Sequence, residues 1–575
     1  MEKNFYSTPG HLNLLVAYDG DIKGEIDRLE NASVYIIDDS YAIVSVKADN
    51  YKEIVDGIKS IVYIELNGIY TLTESPVDDS GATFFHRNPY LNLNGRGVIV
   101  AILDTGIDYL NEEFMREDDT TRIIRIWDQT IDSEKIPKGF VHGSEYTEEE
   151  INKAIMAKKE GLDPYEIVPS KDEIGHGTKM AGLIGARGRN REIIGAAPDC
   201  KFIVIKLEEA AKRYSSYYFA KGDGPKYRNT DILMALKYIY DMSFKINEPI
   251  VVYIPLGSNL GAHSGSSILE RYIDNNISQK NSLVVVTSSG NEGNSDTHTS
   301  GVIKGNGDTA LIEINCGKNQ QGLFLQIYGK RPSKFRLSVT SPSGETFENA
   351  NPQKTKHILV NDNPPWIFIY EGTSVEVTYD SPDEFTGDER FIIRIENIKE
   401  GIWRFKLTGE HIVEGRYDAW ILQRELLDPE TRFLNPSPYT TLTIPGTANK
   451  VITSSFYNQN NGASISEAGR GYTRKDVIQP LLTAGGVNTL TTKPGGGTVR
   501  VSGASVAAAV VAGCCALLFQ WSVIDGNDPQ MYASKMQTYL IRGARKREGD
   551  IYPNRQWGYG ILDIQGVFNS LINNK

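Results

Sequence analysis

The sequence predicts an α/β protein: a parallel sheet flanked by helices, preceded by a small ferredoxin-like domain and interrupted by an inserted β domain. Three observations predict it. Between Gly97 and about Gly301 the runs GVIVAILDTG, KFIVIKL, PIVVYIPLG and SLVVVTSSGN are almost continuously apolar, as in strands covered on both faces. GTKMAGLIGA and TDILMALKYIYDMSF read as helices between them, and alternating strands and helices build a parallel sheet. After Gly301 the helices stop. ALIEINCG, GLFLQIYG, KFRLSVTSPSG, SVEVTYD, RFIIRIENI, GIWRFKLTGE and AWILQRE are short alternating strands separated by turn residues, the pattern of a β-sandwich or jelly roll.

The remaining elements follow in order. HLNLLVAYDG reads as a strand, DIKGEIDRLEN as a helix, SVYIIDDSYAIVSVKA as a strand pair, NYKEIVDGIKS as a helix and IVYIELN as a strand. The order β-α-β-β-α-β is the split βαβ arrangement of a ferredoxin-like domain. It ends near Asn67, and a Ser, Asp, Gly and Pro-rich linker leads to Gly97. Beyond the β block the α/β pattern resumes with NKVITSSFY, an apolar helix after SGAS, and the amphipathic MYASKMQTYLIRGAR. The β block is therefore an insertion.

Composition limits the function classes. A chain of 575 residues with 40% hydrophobic and 23% charged residues is long enough for three or four domains of about 150 residues each. A net charge of -12 without a basic, aromatic-bearing run excludes a nucleic-acid partner. Cys200, Cys316, Cys514 and Cys515 are too few for a disulfide scaffold and lack metal-ligand spacing. MEKNFYSTPGHLNLLVAYDGD holds no apolar run of signal-peptide length, so synthesis in the cytoplasm is expected. The stretch Val506 to Val523 is short and alanine-rich for a membrane span and fits a buried core helix.

In open α/β sheets functional groups collect at the carboxyl ends of strands. Asp104 closes VIVAILD, His176 lies in EIGHGTKMAGLIGA, and Ser505 stands between Gly503 and the apolar helix. A serine hydroxyl attacks an acyl group once a histidine takes its proton, and the histidine needs a carboxylate to fix its tautomer. The order Asp, His, Ser is one known arrangement of that triad. Asn291, in VVVTSSGNEGN, follows a buried strand, where its amide could donate to an oxyanion together with the Ser505 N–H at a helix N-terminus. Taken singly, these residues also read as turn, cap or core residues.

ILDTGID, GHGTKMAGLIGA, SSGNEGN and SGASVAAA, in this order, resemble the Asp, His, oxyanion-Asn and Ser motifs of the subtilisin-like serine peptidases, the subtilases. IIGAAPDCKFIVIKL resembles the strand after the family's His helix, and IVYIELNGIYTLT the exit strand of its propeptide. The resemblance implies a subtilisin-like sheet and a division into a propeptide (1–75), a catalytic domain (76–302 and 438–575) and an inserted jelly-roll-like β domain (303–437). It implies Ser505 as nucleophile, His176 as general base and acid, Asp104 as orienting carboxylate and Asn291 as oxyanion donor. Leu256 and Gly257 match the edge that pairs with extended substrate. Ser288, Ser289 and Gly290 match the wall of the first specificity pocket, and their small size predicts room for a bulky side chain. Self-cleavage is expected within Thr71, Leu72, Thr73, Glu74, Ser75 and Pro76, with the propeptide retained as a partner.

The chain departs from the family pattern at Ala504 (usually Thr), Ala509 (usually Pro), Pro255 (usually Ser) and Ala484-Gly485-Gly486 (usually Ala-Pro-Gly). These departures leave open a second reading, a binding or signalling protein that keeps a peptidase fold. The propeptide and the jelly-roll-like insertion together resemble the germination-specific Csp proteases of clostridial spores. That resemblance implies incorporation into the spore and a cortex-hydrolase zymogen as substrate. No cofactor is implied. Calcium is common in the family, but the acidic turns Asp362 to Asn363 and Asp380 to Asp383 form no specific ligand loop.

Overall fold

The structure is a computed structural model that describes residues 4–65, 67–70, 78–86, 88, 90–348 and 364–572. The expected cleavage region, Thr71 to Pro76, and the Asp362 to Asn363 turn lie outside the described residues.

The main sheet runs in the order Ala463–Ser464, Ile452–Asn458, Leu283–Ser288, Ile250–Ile254, Ile99–Asp104, Lys201–Lys206, Ile123–Asp128 and Ser144–Thr147. Its central strands are parallel. The apolar runs are continuous because both faces are buried. Val100, Ile102, Val251, Val284 and Val286 face the helices His176–Gly185 and Ala504–Phe519. Ile99, Ala101, Leu103, Val252, Ile254 and Val285 face Asn229–Met242 and Ile268–Asn275. By length and composition Ala504–Ile524 could cross a membrane, yet every residue of Ala504–Phe519 is buried in the protein. A helix that is apolar all round needs such an all-round cover.

The N-terminal domain has the expected order of elements, with its antiparallel sheet arranged Ala32–Ile36, Tyr41–Lys47, His11–Tyr18, Ile61–Glu65. The strand period of two divides its faces: Val16 and Val44 meet the domain's own helices, whereas Leu15 and Ile43 belong to the core around Asn229–Met242. Ile69–Tyr70 then pairs antiparallel with Tyr227–Arg228. Tyr6 is buried, and its hydroxyl donates to Asp231.

Glu65 ends the last strand of this domain and accepts hydrogen bonds from the Ile268 N–H at 2.5 Å and the Asn229 amide at 3.0 Å. Burial pushes its carboxyl up to about 7, against the effect of those two donors. The docked state therefore retains a proton that an exposed glutamate loses at about 4.5. The stabilisation this gives is complete below about 4.5 and is lost as pH rises through about 7. Thermal midpoints of full-length protein should fall over that window, and Glu65→Gln should flatten the fall; identical profiles would remove Glu65 as the cause.

Among the described residues the insertion is a sandwich of two antiparallel sheets, one of six strands and one of five. Leu323, Leu325 and Ile327 of the first and Leu337, Trp403, Phe405 and Leu407 of the second share its core. The boundary expected at 303 is corrected: His298–Val302 already pairs with Arg416–Trp420 of the six-stranded sheet. HTSGV lacks apolar alternation, so only its backbone pairing reveals it as a strand.

Candidate functional site

Three adjacent strand ends and two helix N-termini converge. Asp104 ends Ile99–Asp104, Pro255 to Gly257 follow Ile250–Ile254, and Ser288 to Asn291 close and follow Leu283–Ser288. His176 opens the helix His176–Gly185, and Ser505 is the second residue of Ala504–Phe519.

Asp104 and His176 are buried, with His176 Nδ1 at 2.9 and 2.8 Å from the two carboxylate oxygens. Beside a carboxylate Nδ1 carries the proton, which leaves the lone pair on Nε2. Two residues that the sequence did not single out hold this pair. Thr105 Oγ1 accepts the Gly177 N–H at 2.9 Å and donates to Asp172 at 2.7 Å. Asp172 also accepts from Gly175 N–H and from the N–H and hydroxyl of Thr178, satisfying the open end of the helix. An aspartate ahead of an apolar helix is a legible capping signal. Gly177 is required by space: a β-carbon there would lie 2.0 Å from the Gly106 carbonyl oxygen and 3.2 Å from Asp104 Cβ.

Ser505 is buried, and its hydroxyl donates to the Pro255 carbonyl at 3.2 Å. Gly503, with φ 139°, turns the chain into the helix. Asn291 Oδ1 accepts the Ala504 N–H at 3.4 Å, which sets the Asn291 amide beside the helix N-terminus. Tyr253 joins the two halves of the site. Its hydroxyl donates to the Ser505 carbonyl, and burial together with the nearby Asp104 carboxylate pushes its phenol well up. Tyr253 sits inside an apolar run and reads in sequence as plain core.

Leu256, Gly257, Ser288 and Ser289 are buried. The Gly257 carbonyl accepts from the Gln423 amide at 2.9 Å. The expected room beside Ser288, Ser289 and Gly290 is corrected, because the returning chain fills it. A β-carbon on Gly257 would lie 2.2 Å from Thr443 Oγ1, and one on Gly290 2.5 Å from Thr443 Cγ2. Glu292, next to Asn291, is buried and accepts from Thr297 at 2.8 Å and from the Arg424 N–H at 3.2 Å. Burial raises its carboxyl, and its bonds tie the Asn291 loop to the end of the insertion.

The carboxylates among the potential metal ligands have arginine partners. Asp380 and Asp383 pair with Arg390 at 2.6 and 2.9 Å. Among the described residues, His142, Glu208 and Asp231 bring ligand atoms within 4.8 Å of one another. The Arg228 guanidinium pairs with both of those carboxylates and supplies the positive charge they require.

A sequence model of the subtilase family matches residues 95–316 and 434–560, on either side of most of the insertion. The solved Clostridium perfringens CspB protease aligns over 87% of this chain and 98% of its own, with 33% identity and a TM-score of 0.75. The PII-type proteinase of Lacticaseibacillus paracasei is 21% identical over 84% of this chain, which spans 26% of that protein. The major intracellular serine protease of Bacillus subtilis is 22% identical over 36% of this chain and 47% of its own length. The chain thus spans about a quarter and about half of these two curated relatives. The chain belongs to the subtilase family of serine peptidases.

Proposed function

We propose that the protein is a serine endopeptidase that cleaves its own N-terminal domain and then activates a protein substrate by limited proteolysis. The observation that carries this reading is the pairing of Asp104 with His176 beside the helix end that bears Ser505, with Tyr253 between them. His176 Nε2 takes the Ser505 proton as Oγ attacks the scissile carbonyl. Asp104 stabilises the imidazolium that forms, and His176 returns the proton to the leaving amine. In this reading the Ser505 N–H and the Asn291 amide bind the oxyanion; the position of Asn291 beside the N-terminus of the Ser505 helix, which favours negative charge, supports this. Water then repeats the sequence to release the acyl group.

In this reading the N-terminal domain is the propeptide, cut within Thr71 to Pro76 and retained by its docked sheet. Substrate extends along Leu256 and Gly257. Likeness to the CspB protease supports a role in the spore, with a cortex-hydrolase zymogen as substrate. No step of the reaction calls on calcium.

A fluorophosphonate probe should label Ser505 in self-processed protein, and the intact mass should show two chains. Ser505→Ala should abolish both. A variant that still yields two chains refutes self-cleavage. Absence of label after removal of the N-terminal domain favours the binding protein instead.

A further inference from the structure

The floor of the space between the two strand edges is made by the segment that returns from the insertion. Thr443 N–H donates to the Ser289 carbonyl at 3.1 Å, and Ile444 exchanges hydrogen bonds with Ser258 at 2.9 and 3.0 Å. These bonds fix Thr443 against both walls at once. A β-carbon on Gly257 would lie 2.2 Å from its Oγ1 and 2.6 Å from its Cβ. One on Gly290 would lie 2.5 Å from its Cγ2 and 2.6 Å from its Oγ1. The threonine side chain therefore occupies the depth that two facing glycines open. Thr443 is 3% exposed, and among the described residues its hydroxyl oxygen has no hydrogen-bond partner. A buried hydroxyl without a partner is costly, and as both donor and acceptor it can meet a hydroxyl, a carboxamide or a carboxylate.

We infer that Thr443 sets the specificity of the first pocket and selects a compact polar side chain, of the hydroxyl, carboxamide or carboxylate type, before the cleaved bond. The inference rests on the peptidase reading above and fails separately from it. Size and polarity act together. An aromatic or large aliphatic side chain collides with Thr443 before it is seated. A small apolar one seats but leaves the hydroxyl unpaired, and buried polar groups left unpaired are how sites reject such analogues.

Full-length protein that has processed itself is given a mixture of unfolded proteins, and mass spectrometry reads the residue before every cut, its own included. Wild-type cuts should follow Ser, Thr, Asn, Gln, Asp or Glu. Thr443→Val keeps the volume and removes the hydroxyl, so the preference for polar over apolar residues of equal size should fall roughly tenfold or more. A thermal midpoint equal to wild type shows that it is folded. Thr443→Gly should add cuts after Phe, Tyr and Leu. Wild-type cuts that follow Phe, Tyr or Leu overturn the inference and leave the peptidase reading standing, as does a Thr443→Val pattern identical to wild type. If the wild-type protein makes no cut, the inference falls together with the peptidase reading.

Discussion

His176→Ala is expected to lower kcat/KM by about a thousandfold or more, since it removes the base that takes the Ser505 proton and the acid that returns it. Asp104→Asn should cost about as much for a different reason. Nδ1 of His176 faces two carboxylate oxygens at 2.8 and 2.9 Å, so its proton resides there and the lone pair that accepts is on Nε2. An asparagine amide turned toward the ring offers a donor, drives the proton to Nε2 and leaves no acceptor for the serine. The two variants separate on heating: His176→Ala keeps Asp104 bonded to Thr105, whereas Asp104→Asn alters a group buried at the centre of the sheet. Rates of fluorophosphonate labelling, measured beside thermal midpoints, check both. A labelling rate for either variant within tenfold of wild type would remove the pair from the mechanism.

The parts legible in sequence share a physical cause. Ile99–Asp104 and Leu283–Ser288 are buried along their whole length, so their residue types alone mark them as central strands. Ile123–Asp128 and Ser144–Thr147 lie toward the sheet edge, where Arg125 and Glu145 interrupt the apolar pattern that marks the central strands. The DIKGEIDRLEN helix contracts to Ile22–Ile26, since only those two isoleucines bury against the small sheet. Asp104, His176, Asn291 and Ser505 stand at element boundaries among glycines, and their local context marks them. Thr443 does not. Its meaning depends on two glycines contributed from the other side of the insertion, a contact that no local pattern encodes. Tyr253 reads as core for a similar reason, because the role of a polar tip on a core residue depends on its partner, here the Ser505 carbonyl.

Gly177→Ala tests whether the placement of His176, rather than its presence, sets the rate. The new methyl would fall 2.0 Å from the Gly106 carbonyl oxygen, a backbone atom that cannot swing aside. Either the helix His176–Gly185 shifts or the strand end that carries Asp104 does, and both separate His176 from its carboxylate. A displacement of about 1 Å can cost about a hundredfold in rate, while overpacking of this kind costs about 1–3 kcal/mol of stability. Gly182→Ala on the same helix is the control. Its methyl would meet two side chains rather than a backbone carbonyl, the Thr491 hydroxyl at 2.5 Å and Thr492 Cγ2 at 2.8 Å, and it lies away from the helix start. Both variants should lower the thermal midpoint, but only Gly177→Ala should lower the labelling rate, by about a hundredfold. Equal losses of rate in the two would mean that general destabilisation is the cause. A Gly177→Ala protein that labels normally would mean that the contact between Gly106 and the His176 helix relaxes without cost to the site.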